Sequence, residues 1–238
     1  MAKKRIYVPK NKTNGEKKGD RKIWVENVKF LTTAEYHELQ EAIRQYSRPE
    51  LVNRNLLLIS IALNNGLRAS DVVTLRVGHV KNKTQTRIIE QKTGKAKTLY
   101  WNNCLAEIIN YLNELDFKDD NDWLFPGRQD GHFSVHGFYQ MLQRIARKTG
   151  NEKLVAKLGT HSFRKTFGRQ LYKDGVNIEI ISQLFNHSSE RNTRHYLGIE
   201  QEDLDKVVRN SSLNNRSRSQ DLPLQDTHKF HDFIFAAD

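Results

Sequence analysis

Long apolar runs are missing from this chain. Across 238 residues no stretch of 18 consecutive apolar residues occurs, and a bilayer-spanning helix needs about that length. A single cysteine, Cys104, excludes an intramolecular disulfide framework and suits a reducing compartment. The start, MAKKRIYVPKNK, is basic but has no apolar h-region, so it does not read as a secretory signal. There is no Walker loop and no GxGxxG; KTGKAKT lacks the leading glycine and lies between strand-prone segments. No HExxH occurs. His132 and His136 are four apart, but HFSVH sits at a loop–helix junction with no cysteine near, so no metal site is expected. Asp119 and Asp120 form a loop pair that does not resemble the carboxylate cluster of a magnesium-dependent nuclease. RNP-like aromatics, a GXXG loop and internal repeats are also absent, which argues against an RNA-binding module.

What the chain does have is positive charge. The formal net charge is +11, and hydrophobic residues make up only 37%. Polyanions are the natural partners of such a protein, nucleic acid before an anionic membrane. Residues 1–30 carry ten Lys or Arg against three acids, while the remainder carries 29 against 25, so most of the excess lies at the start. Residues 1–27 read as a basic arm, disordered or ordered only on binding, that tracks a phosphate backbone and releases counterions. Its candidate DNA-binding residues are Lys3, Lys4, Arg5, Lys10, Lys12, Lys17, Lys18, Arg21 and Lys22.

A folded body is expected over 28–212. Thr32 and Glu35 have capping-box spacing, with Leu31 and Tyr36 as a staple, and Ser47 and Glu50 repeat that spacing around Pro49. LVNRNLLLISIALNN then reads as a long buried helix stopped by Gly66. A short helical piece around 70–75 precedes TRIIEQ and KTLYW, two β-prone segments that form a hairpin. Leu105, Ile108, Ile109, Leu112 and Leu115 mark an apolar helical stripe, and DWLFPG is a loop. Helices are predicted around 134–148, 161–174, 177–185 and 189–197. The fold class is therefore mainly α with one small antiparallel hairpin. Residues 213–238 form a linker-like tail ending in the apolar cluster HKFHDFIFAAD, which docks either on its own body or on a neighbouring subunit.

Individually the chemistry-bearing residues are weak signals. His161 and Arg164 share a helix face in THSFRKTFGRQL, with Thr160 as the expected N-cap and the first turn favouring an anion. Arg68 follows the helix-ending glycine in NNGLRASDVV, and Asp71 three residues on can orient it or balance its charge. Together they form an ordered set: GLRxSD, a hairpin lysine in EQKTGK, HSFR, NHSS, and a tyrosine nine residues after that histidine. This set resembles the catalytic domain of the tyrosine recombinase (phage integrase) family, over about Phe30 to Gly198. The family's Arg, Lys, His-x-x-Arg, His and Tyr match Arg68, Lys92, His161, Arg164, His187 and Tyr196.

The resemblance implies that Tyr196 attacks a DNA phosphodiester to give a 3′-phosphotyrosyl link and a free 5′-hydroxyl, without metal, cofactor or ATP. Tyrosine has a reference pKa of about 10, so a base or positive charge must help its ionisation. Arg68 and Arg164 would clamp the phosphate oxygens bidentately. Lys92 suits the general acid for the leaving 5′-oxygen, with Lys95 and Lys97 as rivals that also suit DNA binding. His161 and His187 are candidates for proton acceptor and phosphate ligand, in either order. Asn186 replaces the glycine usual before the second histidine, and asparagine tolerates the left-handed backbone that turn needs. His195, adjacent to Tyr196, would point about 100° away on a helix. The implied partners are double-stranded DNA, a homo-tetramer on DNA and accessory DNA-bending proteins; the implied location is a bacterial or phage-infected cytoplasm. With the body starting near residue 28, a separate clamping domain is not expected in this sequence. Readings of different scope share the motif set: a site-specific recombinase, a monomeric nicking–closing enzyme, or a DNA-binding regulator that keeps the fold without cleaving.

Overall fold

The computed structural model describes residues 30–127 and 131–199. The basic arm and the C-terminal tail therefore lie outside the described residues. Helix α1 (Thr33–Tyr46) starts at the expected capping box: Glu35 N–H donates to Thr32 Oγ1 and Thr32 N–H to the Glu35 carboxylate. Ser47 and Glu50 do not form a second box. A single 3-10 turn, Pro49–Leu51, begins α2 (Val52–Asn64), and the Ser47 hydroxyl accepts from the Asn55 side chain instead. That buried asparagine needs a partner more than a solvent-side helix end does. Residues Asn55 to Ala62 are buried all round the helix, so α2 is the central rod. Around it pack α1, α3 (Ala69–Val73), α5 (Leu105–Leu112) and α8 (Ser162–Lys173).

The turn after α2 positions the first motif. Gly66 adopts φ +55°, and a Cβ there would collide with the Phe167 ring. A glycine is thus required both by backbone conformation and by close approach to α8. After α4 (Val77–Val80), β1 (Gln85–Ile89) pairs antiparallel with β2 (Ala96–Tyr100), with Arg87 opposite Thr98. The α5 stripe differs from expectation. Ile108 and Tyr111 are buried, but Leu105 and Ile109 are 49% and 50% exposed. The helix docks through a narrower face, on which Tyr111 stacks with Phe125 at 5.8 Å. DWLFPG is a loop with a core function, since Leu124 and Phe125 are fully buried and Leu124 N–H donates to Leu75 O.

Helix α6 (Val135–Lys148) begins at Ser134, and α7 (Glu152–Lys157), six residues long, was too short to show a periodicity in the sequence. The last helices are α9 (Ile178–Leu184) and α10 (Glu190–Leu197). The apolar interior has two parts. The larger cluster joins α1 to α3, the hairpin, α5 and α6; the smaller gathers Ile178, Ile181, Phe185 and Leu197 beneath α9 and α10. The motif residues collect along the seam between the two, with α8 crossing it.

Candidate active site

Four turns bring the expected residues together. Arg68 is the N-cap of α3, two residues beyond Gly66. The hairpin turn carries Lys92. The start of α8 carries His161 and Arg164, and the α9–α10 turn carries His187 just ahead of the helix that holds Tyr196. Thr160 does not cap α8. His161 itself occupies the N-cap, and the Ser162 hydroxyl ties down the preceding turn through Lys157 O and Gly159 N–H. Arg164 remains in the first turn, as the spacing requires.

Arg164 is 1% exposed and holds three segments at once. Its Nη1 donates to Gly66 O at 2.7 Å and its Nη2 to Phe185 O at 2.7 Å. Each carbonyl lies two residues before an expected active residue, Arg68 and His187 respectively. The guanidinium also lies 4.2 Å from the Phe185 ring centroid. Burial, and then the charge of Arg68, lower its pKa to about 10, so it stays charged at neutral pH. Arg68 is buried as well, and its Nη1 is 2.9 Å from Glu90 but 3.9 Å from Asp71. The closer acid is thus Glu90. Asp71 does something else: its Oδ1 accepts from Gln91 N–H at 2.9 Å, anchoring the lysine turn to α3. Burial raises the Asp71 pKa.

Tyr196 is half-buried. Its hydroxyl is 3.5 Å from His161 Nδ1, and its ring meets that of His187 edge-on at 5.3 Å between centroids. Burial pushes the Tyr196 pKa up to about 12, while Arg164 and Arg68 pull the other way. The same two arginines act on the histidines. Burial first, and then Arg164, lower both His161 and His187, the latter to about 4. Both imidazoles are therefore neutral at pH 7 and able to accept a proton. His187 Nδ1 is 2.9 Å from Thr193 Oγ1, which fixes the ring against α10. Asn186 takes φ +50°, the left-handed turn expected from its place before His187. His195 is exposed, and Arg194 pairs with Glu190 at 3.7 Å.

The three hairpin lysines separate by position. Lys92 lies in the turn after β1 rather than on the strand, exposed, yet close enough for its charge to depress both histidines. Lys95 is exposed at the tip. Lys97 points inward. Its Nζ donates to Leu184 O at 3.2 Å, and burial, followed by Arg164, lowers its pKa to about 8. Two further residues lie within the quoted segments without a chemical role evident from the sequence. Lys165 is buried with its Nζ 5.2 Å from the Tyr196 ring centroid. Glu90 is fully buried among the arginines. The period of β1 contained a sign of it: Thr86, Ile88 and Glu90 share the inward face, and an acid there needs partners.

The fold is that of a tyrosine recombinase catalytic domain. The XerH site-specific recombinase, solved bound to a palindromic difH substrate as a post-cleavage complex, superposes with a TM-score of 0.60 at 19% identity, over 75% of this chain and 51% of that one. The catalytic domain of bacteriophage HP1 integrase gives 0.51 at 21% identity, over 79% and 98%. The family model for the phage integrase family matches residues 29–202. A probable integrase/recombinase of Bacillus subtilis, YoeC, is 32% identical over 170 residues, 69% of this chain and 87% of the relative. Tyrosine recombinase XerD of Brucella melitensis is 26% identical over 85% of this chain. The chain belongs to the phage integrase family. It spans 65% of the length of that XerD and 51% of a Rickettsia prowazekii XerC that is 31% identical.

Proposed function

We propose that the protein is a site-specific DNA recombinase that cuts and rejoins strands through a phosphotyrosine at Tyr196. The observation that carries this is the Tyr196 hydroxyl, 3.5 Å from a neutral His161 and inside a cluster that also contains Arg164, Arg68 and His187. With a pKa of about 12, forming the phenolate at pH 7 is unfavourable by roughly 7 kcal/mol, at 1.36 kcal/mol per unit. Free phenolate is therefore not the reactant. Proton transfer to His161 accompanies attack on phosphorus, and the arginines hold the charge that grows on the non-bridging oxygens. Each terminal nitrogen of Arg164 keeps a second N–H beside the one it gives to a backbone carbonyl, and the position of both arginines in a buried seam strengthens each contact they make. As the phosphorus–5′-oxygen bond breaks, Lys92 supplies the proton to the leaving oxygen. The bond energy stays in the phosphotyrosine, so a 5′-hydroxyl from another strand can reverse the step without ATP.

Double-stranded DNA is the substrate in this reading. The basic arm adds phosphate affinity, and a homo-tetramer on DNA is the assembly that supports two-site exchange. The test is a nicked suicide duplex carrying a candidate site. Wild-type protein should form a denaturation-resistant protein–DNA adduct, and Tyr196→Phe should not. An adduct that persists in Tyr196→Phe would remove Tyr196 as nucleophile. Relaxation of supercoiled DNA without exchange between two sites would instead favour the nicking–closing reading.

A further inference from the structure

We propose that Glu90 is a positioning residue: a single buried carboxylate that orients both phosphate-clamping arginines and joins the lysine turn to the histidine turn before DNA arrives. The inference rests on the reading of Tyr196 as nucleophile and extends it to a residue outside the motif set. Glu90 is 0% exposed at the end of β1. Its Oε2 lies 2.9 Å from Arg68 Nη1 and its Oε1 3.7 Å from Arg164 Nη1. Oε2 also accepts from Asn186 Nδ2 and from Thr93 Oγ1, each at 2.8 Å. Asn186 immediately precedes His187, and Thr93 immediately follows Lys92. One carboxylate thus touches, or touches the neighbour of, four of the six expected active residues.

A purely structural tether would not need a charge here. Burying an ion pair costs several kcal/mol in desolvation, and apolar replacements of similar shape often stabilise a fold. A negative charge beside a phosphate site would also oppose substrate binding. It makes sense where two guanidiniums must be held close together while the site is empty of substrate, because each arginine repels the other. The hydrogen-bond pattern agrees. Burial acts to raise the Glu90 pKa, but hydrogen bonds from Asn186, Thr93 and Arg68 together with the Arg68 charge hold it below the usual carboxylate range, so the carboxylate stays charged beside Arg68 Nη1 at 2.9 Å. The backbone completes the device: Glu90 N–H donates to Lys95 O and Gly94 N–H donates to Glu90 O, both at 2.9 Å, so the side chain is rigidly joined to the lysine turn. Such preorganisation acts on the chemical step more than on DNA affinity, since Glu90 has no surface with which to touch a phosphate backbone.

The test is single-turnover cleavage of the suicide duplex as a function of DNA concentration. Glu90→Gln keeps the shape and an oxygen for Asn186 and Thr93, but it removes the charge and turns an N–H₂ toward an arginine. The expected result is a fall of about 10²-fold in the rate at saturating DNA, since displacements of about 1 Å have effects of that size, with the half-saturating concentration changed less than about 3-fold. Thr93→Val, which removes one donor and adds no bulk, should lower the saturated rate several-fold and leave folding intact. A saturated rate in both variants equal to wild type would overturn the proposal, as would a loss confined to DNA affinity. A readout independent of cleavage is the side-chain ¹⁵N–¹H spectrum of the arginines. Arg68 guanidinium signals should be sharp in wild type and averaged by rotation in Glu90→Gln; unchanged signals would overturn the proposal even if Tyr196 proved not to be the nucleophile. A wild type that forms no adduct while this spectral change occurs would refute the nucleophile and retain the positioning role.

Discussion

Replacing Arg164 by alanine should unfold the protein partway as well as silence it. The side chain is 1% exposed and donates to two backbone carbonyls, Gly66 O and Phe185 O, each at 2.7 Å. Hydrogen bonds from a charged donor contribute about 1.5–3 kcal/mol each, and an orphaned buried acceptor costs about 1–3 kcal/mol. Removing the arginine also deprives Glu90 of one of its two cations. Against this, the desolvation cost of the guanidinium disappears. The balance for removing one partner of a buried ion pair is a loss of about 3–5 kcal/mol. At about 2–4 °C per kcal/mol for a protein of this size, Tm should fall on the order of 10 °C. Arg164→Lys should recover only part of it, because one ammonium does not reproduce a fork that spans two carbonyls. Thermal and urea denaturation of Arg164→Ala beside Tyr196→Phe tests this. The phenylalanine variant should stay within about 1 kcal/mol of wild type, since it removes one weak hydrogen bond. An Arg164→Ala protein that melts within about 2 °C of wild type would show that the arginine does not join the α2 and α9 turns as described.

Three further outcomes follow from the same geometry. Gly168→Ala in α8 would normally stabilise a helix by about 1 kcal/mol. Here its Cβ would lie 2.7 Å from Leu197 and Phe185, so overpacking should instead destabilise by about 1–3 kcal/mol and shift α10; denaturation and cleavage rate check both. His187 has a folded pKa of about 4, below its ordinary 6.5, so the unfolded chain binds the extra proton between those values. Stability should therefore be fully present above pH 6.5 and decline as pH falls toward 4, and His187→Asn should flatten part of that decline in pH-dependent denaturation. Lys92→Ala should slow cleavage about 10²- to 10⁴-fold on ordinary DNA but far less on a duplex with a 5′-bridging sulfur, whose departure needs no proton. Lys97→Ala should show no such rescue; the reverse pattern would transfer the acid role to Lys97.

Much of the site was legible because its residues are fixed by turns with strong local rules. Gly66 ends α2 and delivers Arg68, and Asn186 takes the left-handed turn that delivers His187. The order of motif residues then joins positions that are distant in the chain. What the sequence did not reveal depends on side-chain direction. Lys92 and Lys97 are both hairpin lysines, but only Lys97 is folded inward, because β2 turns that face toward α9. Within EQKTGK only the lysine has an evident chemistry; the role of Glu90 comes from two arginines and an asparagine brought from three other segments. Thr160 had the right chemistry for a cap, but Ser162 already bonds the turn before α8, and the helix starts later. The α5 face was drawn too wide because period alone does not say how much of a stripe a neighbour covers, as exposed Leu105 and Ile109 show.

The central claim is that Tyr196, and not another hydroxyl or imidazole of the cluster, becomes joined to DNA. The direct measurement is to trap the wild-type adduct on a suicide duplex, digest both components and sequence the nucleotide-bearing peptide by mass spectrometry. A single modified peptide is predicted, with the nucleotide on Tyr196 through its 3′-phosphate. A nucleotide on any other residue, or attached through a 5′-phosphate, would contradict it.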